Sequence, residues 1–384
     1  MRRLTHTAAR RRICALALLL LTPTLCACSD LRQERRELEQ MQIIQTVGVD
    51  YAPGGVRLSL AAAAGPDGQG TAPALTGTGR NYSAALARIR ESTVEEELFF
   101  GHVQSLLVGQ EEAEHGLGEL LGNVCRSADL RLDMPLYIVR GGSAEDMVLG
   151  AGSGERGITE ILRAADSRSE RREAEPNGSA AALLRSLSRR GGALARALRY
   201  EKAAEDGGMT AVDAGLGVLA DGVLAAWIEP EDALGVELLR GGTAGRELSV
   251  LDLGGLPAAL ALQRGESRVI PVWNEDGSLR GLDVLAQVRA AVLETAGDGG
   301  EDPDHYEDYL TAQLESAVSE RIGRILRLAR QLKLDFLGLE ERVALASPER
   351  WRALDAPLGE LLDSLEISIT VRGELLHSYD STME

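Results

Sequence analysis

The sequence predicts an α+β protein of several domains, with mixed sheets packed against helices behind a cleaved signal peptide. Three observations carry that prediction. Segments of strand period and of helix period alternate through the first half of the chain. A long amphipathic stripe and then a strictly alternating strand close the last third. At 384 residues the chain is too long for one small core. Three domains are expected, divided as 28–165, 166–245 and 246–384, after a leader over 1–27.

Hydrophobic residues are 44% and charged residues 26%, as in ordinary folded proteins. Aromatics are only 3%, so the cores must be built from Leu, Val, Ile and Ala. A net charge of -18 argues against a nucleic-acid partner, because phosphate binding needs a basic face. It also argues against broad adsorption to anionic lipid.

"MRRLTHTAARRR" carries five arginines and no acid, and "ICALALLLLTPTL" (Ile13 to Leu25) is a short apolar run. These are the n-region and h-region of an export signal. The competing reading is a transmembrane anchor. A spanning helix needs about 20 residues, and Pro23 interrupts this shorter run. Leu25-Cys26-Ala27-Cys28 then has the form of a lipobox. Cys28 has aliphatic Leu25 three residues before it and small Ala27 immediately before it. Cys26 fits badly, with Leu25 in the small site. Diacylglyceryl transfer to the Cys28 thiol and cleavage between Ala27 and Cys28 are expected. One acyl chain holds a membrane only marginally, whereas two or three anchor durably. A Cys26–Cys28 disulfide is the alternative, but this spacing suits a disulfide poorly. Of the four cysteines, cleavage removes Cys14 and Cys26, and lipid occupies Cys28. Cys125 remains alone, and its neighbours "LLGNVCRSA" predict a buried thiol on a helix.

"SDLRQERRELEQ" reads as a charged surface spacer, and "IIQTVGVDY" as the first strand of the body. After the Pro53-Gly54-Gly55 turn, Val56, Leu58 and Leu60 alternate with Arg57 and Ser59, the period of a half-buried strand in a hairpin. Pro66 to Gly79 reads as a flexible loop. Tyr82 to Arg90 reads as a short helix with Ala85, Leu86 and Ile89 inward. "FFGHVQSLLVG" reads as one strand, Gln110 to Val124 as one helix, and Leu130 to Asp133 as extended chain. "MPLYIVRG" is a strand, and Ser143 caps the helix that follows. Ala164 to Gly178 reads as a polar linker. "SAALLRSLSRRGGALARALRY" has helical periodicity broken at Gly191-Gly192. Leu216 to Leu219 and Val223 to Ile228 flank Ala220-Asp221-Gly222, a type I′-like turn signal. Glu229 to Leu239 reads as a helix. Arg246 to Thr295 is a set of strands with "NEDG" as a turn. From His305 to Leu332, residues Leu310, Leu314, Val318, Ile322, Leu326 and Ala329 form one stripe, an amphipathic helix. Ser347-Pro348-Glu349 reads as a capped helix start. Leu365, Ile367, Ile369 and Val371 alternate with polar residues in a last strand.

Few combinations look catalytic. The five histidines (His6, His102, His115, His305 and His377) form no H-E-x-x-H pair and no zinc spacing with cysteine. His102 is expected on a strand as a core or edge residue. Gly150 to Gly157 lacks the Walker lysine and reads as linker. The acids of Gly300 to Tyr309 lack calcium-loop spacing and suit a helix N-terminus instead. No G-x-S-x-G elbow is present. No catalytic residue, metal or cofactor is expected.

Cys28-Ser29-Asp30 followed by "RRELEQMQIIQTVGVDY" resembles the start of the Ger(x)C family, C-subunit lipoproteins of bacterial spore germinant receptors. The family tryptophan after the cysteine is Ser29 here. "ELFFGHVQSLLVGQEEAEHGLGELL", "SADLRLDMPLYIVRGGSAEDMVL" and "GLGVLADGVLAAWIEPEDALGVELLRG" are similar to later family blocks in the same order. So is the tail from Leu314 to Trp351, with "LDFLGLEERVALASPERWRAL". The resemblance implies a three-domain α+β lipoprotein without established catalysis. It implies assembly with integral-membrane A and B subunits, and a place on the outer face of the spore inner membrane. Cys28 is the one functional residue it carries over. Two other readings compete: a solute-binding lipoprotein of a transporter, and an envelope hydrolase.

Overall fold

The computed structural model describes residues 41–63, 74–93, 97–152, 157–170, 178–202, 209–243, 245–295, 303–354 and 356–376. Ala27, Cys28 and the charged spacer lie outside the described residues.

The first half builds one large sheet from β1 (Met41–Ala52), β2 (Gly55–Ala62), β3 (Leu75–Gly79), β4 (Glu97–Phe99), β5 (Ser105–Gly109), β6 (Leu136–Val139), β7 (Gly192–Lys202), β8 (Met209–Ala220) and β9 (Val223–Ile228). Its order is β3-β2-β1-β5-β6-β7-β8-β9, with β4 beside the start of β1. The run β1-β5-β6-β7 is parallel, and both flanks are antiparallel. Parallel strands need crossovers, and helices supply them. These are α1 (Tyr82–Ser92), α2 (Gln110–His115), α3 (Gly118–Arg126), α4 (Ala144–Gly152), α5 (Ile158–Glu170) and α6 (Ala180–Arg190). Helices α1, α3 and α6 cover one face, where Ile89, Leu120, Val124 and Leu183 meet Val49, Leu60 and Leu106. Helices α4 and α5 cover the other, where Met147, Val148 and Ile161 meet Leu107, Tyr137 and Val139. Neighbouring residues such as Leu106 and Leu107 therefore serve opposite cores, and the strands read as continuous apolar runs.

The second half builds a five-stranded sheet. After α7 (Ala233–Arg240) come β10 (Gly242–Thr243), β11 (Arg246–Leu251), β12 (Pro257–Trp273) and β13 (Leu279–Thr295). A long crossover follows through α8 (Pro303–Leu332), α9 (Leu339–Ala346), α10 (Pro348–Trp351) and α11 (Leu358–Leu361) to β14 (Glu366–Leu376), which pairs with β13 in parallel. All six stripe residues of α8 are buried as their spacing predicts. Helix α7 lies close on α8: a Cβ at Gly235 would sit 2.7 Å from the Arg321 carbonyl oxygen. Arg324 of α8 donates twice to Asp232 Oδ1, at 2.7 and 2.8 Å, holding the approach to α7. Glu237 of α7 is fully buried and paired with Arg246, while Thr243 donates its hydroxyl to the same carboxylate. A buried charge pair of this kind needs such extra partners to offset desolvation.

The two halves share a core. Leu194, Leu216, Val218 and Ile228 of β7, β8 and β9 belong to the same apolar cluster as Leu238, Leu260 and Ile322. Across this joint Arg190, ending α6, pairs with Glu341 of α9 at 2.7 Å. Asp335 anchors the start of α9 by accepting the N–H groups of Gly338, Leu339 and Glu340.

Several elements depart from the sequence expectation. The β1–β2 hairpin is covered on both faces around Ser59, which packs beneath α4 where a solvent face was expected, while Arg57 stays exposed. Leu75–Gly79, expected as loop, is a strand, because β2 pairs with it and α1 packs upon it. "FFGHVQSLLVG" is two strands broken by a turn in which the Val103 N–H meets the Phe100 carbonyl. The helix expected over 110–124 is interrupted at Gly116, which has φ 120°. Leu130 to Asp133 forms bends and turns. Helix α5 extends through Glu170 into the expected linker. After Gly191 the chain is strand β7 and not helix, since pairing on both sides, with β6 and β8, outweighs the alanine-rich local preference. Helix α7 starts at Ala233, four residues late, because Glu229 is held by Arg140 instead. Ser347 makes no cap hydrogen bond; its hydroxyl accepts the Trp273 indole N–H at 3.3 Å. The Ser143 cap is present, with the Asp146 N–H on its hydroxyl. The Asp221-Gly222 turn has φ 50° and 87°, as a type I′ turn requires.

The shared core gives a direct test of packing. Ile322→Ala is expected to cost about 2–5 kcal/mol in urea unfolding. Leu345→Ala, at a side chain 84% exposed, is expected to change stability by about 0.5 kcal/mol or less.

Candidate functional site

The chemistry-bearing residues of the first half gather where β1 and β5 end. Strand β1 buries its last turn of polar chain: the Asp50 carboxylate accepts the N–H groups of Ala144 at 2.7 Å and Glu145 at 2.8 Å. It thereby satisfies two of the free donors at the start of α4. The position tolerates no bulk from β5, since a Cβ at Gly109 would lie 2.0 Å from Asp50 Oδ1. Burial pushes the Asp50 carboxyl above its ordinary range, opposed by those two hydrogen bonds.

Glu112, in the first turn of α2, is buried and accepts the Tyr82 hydroxyl at 2.8 Å. Burial raises its carboxyl as well, opposed by the Tyr82 hydrogen bond and the nearby His115. Burial and the adjoining Glu112 raise the Tyr82 phenol in turn. His115 closes the group: its Nδ1 lies 2.8 Å from the Glu111 carbonyl, and its ring stacks on Tyr51 at 3.8 Å between centroids. Sequence reasoning missed Asp50, Glu112 and Tyr82 as a group. The signals were the acid ending an apolar strand and the acid after Gly109, but their meeting depends on sheet order.

Beside this group lies an apolar pocket of about 390 Å³. Its floor is Val47, Val49, Leu58, Leu60 and Leu106 of the sheet. Its walls are Tyr82 and Leu86 of α1 and Leu120 and Val124 of α3. Arg90, Asn123, Arg126 and Asp129 form the rim.

The other residues singled out by sequence are dispersed. Cys125 is exposed on α3, contrary to the expectation of a core thiol. Val124 points inward, and the next residue of a helix turns about 100° away from it. His102 lies exposed in a turn and not in a strand, its ring 5.7 Å from that of Phe99. His305 is exposed in the first turn of α8. The described part of the Gly300 to Tyr309 stretch forms the start of α8. Gly150 to Gly152 end α4, and 153–156 lie outside the described residues. Among the described residues no three His, Cys, Asp or Glu side chains are grouped to hold a metal ion. His6 and His377 lie outside the described residues, like Cys28.

Two family models match successive parts of the chain. Residues 34–177 match the family described as spore germination protein N-terminal domain. Residues 214–378 match the family described as spore germination B3/GerAC like, C-terminal. The solved structure described as the crystal structure of the GerBC protein has the same fold, with a TM-score of 0.53 at 14% identity. That likeness covers 88% of this chain and 100% of that one. No curated protein matches. The α+β body is thus that of a spore germination protein. The chain belongs to the Ger(x)C family, the C subunits of spore germinant receptors. This is a family of receptor subunits, associated with the spore inner membrane.

The Glu112 pair predicts a pH effect of definite sign. An acid whose carboxyl titrates higher folded than unfolded holds more protons in the folded state. Its contribution is then fully present below the unfolded value of 4.5 and is lost as pH rises through the folded value. Glu112→Gln keeps an acceptor for Tyr82 and removes that loss. Urea midpoints should show Glu112→Gln more stable than the native protein at about pH 7, with the gain shrinking toward about pH 4. Parallel pH profiles would count against it.

Proposed function

We propose that this chain is a non-enzymatic, lipid-anchored subunit of a nutrient germinant receptor, required for spore germination. Cys28 carries the lipid after cleavage behind Ala27, and the body assembles with integral-membrane A and B subunits on the outer face of the spore inner membrane. The observation that carries this reading is the pair of family matches in chain order, following a lipobox at Leu25 to Cys28. Among the described residues no helix is long and apolar enough to cross a membrane. Tethering would raise the concentration of the body beside its membrane partners to roughly millimolar, so that modest interfaces suffice. The net charge of -18 would keep the body off anionic headgroups until it docks.

Two measurements test the reading. Radiolabelled palmitate should enter the native protein and Cys26→Ala but not Cys28→Ala; label persisting in Cys28→Ala would refute the anchor. Deletion of the gene in a strain without paralogues should abolish the response to a nutrient germinant, and normal nutrient germination would refute the receptor role.

A further inference from the structure

The pocket between α1 and α3 is not a sealed packing defect. Its floor residues Val49, Leu60 and Leu106 are buried, whereas its rim residues Arg90, Arg126 and Asp129 are exposed, so it runs from core to surface. Its volume of about 390 Å³ lies at the lower end of the range for small-ligand sites, about 300–1,000 Å³. That suits one narrow apolar tail and not a two-chain lipid.

The rim chooses the head group. Two guanidiniums, Arg90 and Arg126, stand against one carboxylate, Asp129. Arg126 donates only to the neutral Asn123 side chain, at 3.3 Å, and among the described residues no ion pair holds it or Arg90. A cation would meet two like charges there, and a neutral head would leave both guanidiniums without a counter-ion. An anion gains charge-assisted hydrogen bonds at the mouth while its tail replaces water on the apolar floor.

We propose that this pocket binds a single-chain amphiphilic anion, its tail on the β1–β2–β5 floor and its head group at Arg90 and Arg126. The proposal does not depend on the lipid at Cys28 or on the receptor partners. Its chemistry is shared by a free carboxylate and by a single-chain acidic phospholipid.

Photo-crosslinking of the full chain in its own membranes tests it, with a diazirine-bearing decanoate as probe and peptide mass spectrometry as readout. Crosslinks are expected within 47–60, 82–90, 100–106 and 120–130. Decanoate or decanoyl lysophosphatidylglycerol should compete them away, the stronger of the two naming the source. Decanol and decyltrimethylammonium should compete about tenfold less well, the loss of one charge-assisted contact. Val124→Trp, which fills the space, should remove the crosslinks. Arg126→Gln, at an exposed position, should weaken competition by the anions and not by decanol, and it keeps the test decisive if Val124→Trp does not fold. No crosslink within these segments, or equal competition by decanol and decanoate, would overturn the proposal.

Discussion

From Ala214 to Leu219 strand β8 has no solvent face. Val218 enters the apolar core of the second half, and Leu219, its neighbour, enters the core of the first. The rest of the architecture depends on this constraint. A strand that alternates between two interiors cannot be peeled from either without exposing the other. The first sheet therefore continues past its parallel centre into β7, β8 and β9, and α7 and α8 close over their far side. The Arg140 fork on Glu229, with the guanidinium over Trp227, fixes the chain as it leaves this sheet. One family match ends at residue 177, before β7, and the other begins at 214, inside β8, so the second takes in most of the joint.

The sequence made some of this legible and hid the rest for identifiable reasons. The α8 stripe was readable because one helix face is buried along its whole length and the other is wet. The Asp221-Gly222 turn was readable because a backbone conformation with positive φ at both positions has few residue choices. Strand β7 was hidden because Leu194 and Leu198, four apart, fit a helix period and the alanines around them favour helix, and only pairing with β6 and β8 decides otherwise. The alternation of Arg57 and Ser59 suggested a wet face that α4 in fact covers near Ser59. Cys125 shows how narrow the margin is: the helix was foreseen, but a step of one residue moved the thiol from core to solvent. The Asp50, Glu112 and Tyr82 group and the pocket beside it were out of reach, because β1, β5, α1 and α3 meet only through sheet order.

The first half spends its buried polar groups on rigidity. Asp50 fastens α4, Glu112 fastens Tyr82 of α1, and Asp335 does the same for α9 in the second half. Each is a short acid whose oxygens replace water at a helix start or a phenol. Among the described residues none of them belongs to a group that could hold a metal ion. What these contacts make is a stiff body in which one pocket wall, α1, is tied to α2. For a subunit of a receptor complex, stiffness lets a small event at one surface be felt at another, since packed interiors shift as blocks and not by gradual bending.

Strand β14 lies at the edge of the second sheet. Along it Glu366, Ser368, Thr370, Arg372 and Glu374 face solvent, and Glu315 of α8 accepts the Gly373 N–H at 2.8 Å. An uncovered edge invites a neighbouring chain to add a strand, and charges along it discourage that. Many copies held in one plane would collide far more often than the same number free in solution. The guarded edge of β14 is thus a safeguard against two-dimensional polymerisation, a hazard that grows with crowding on a surface and not with the stability of any single copy.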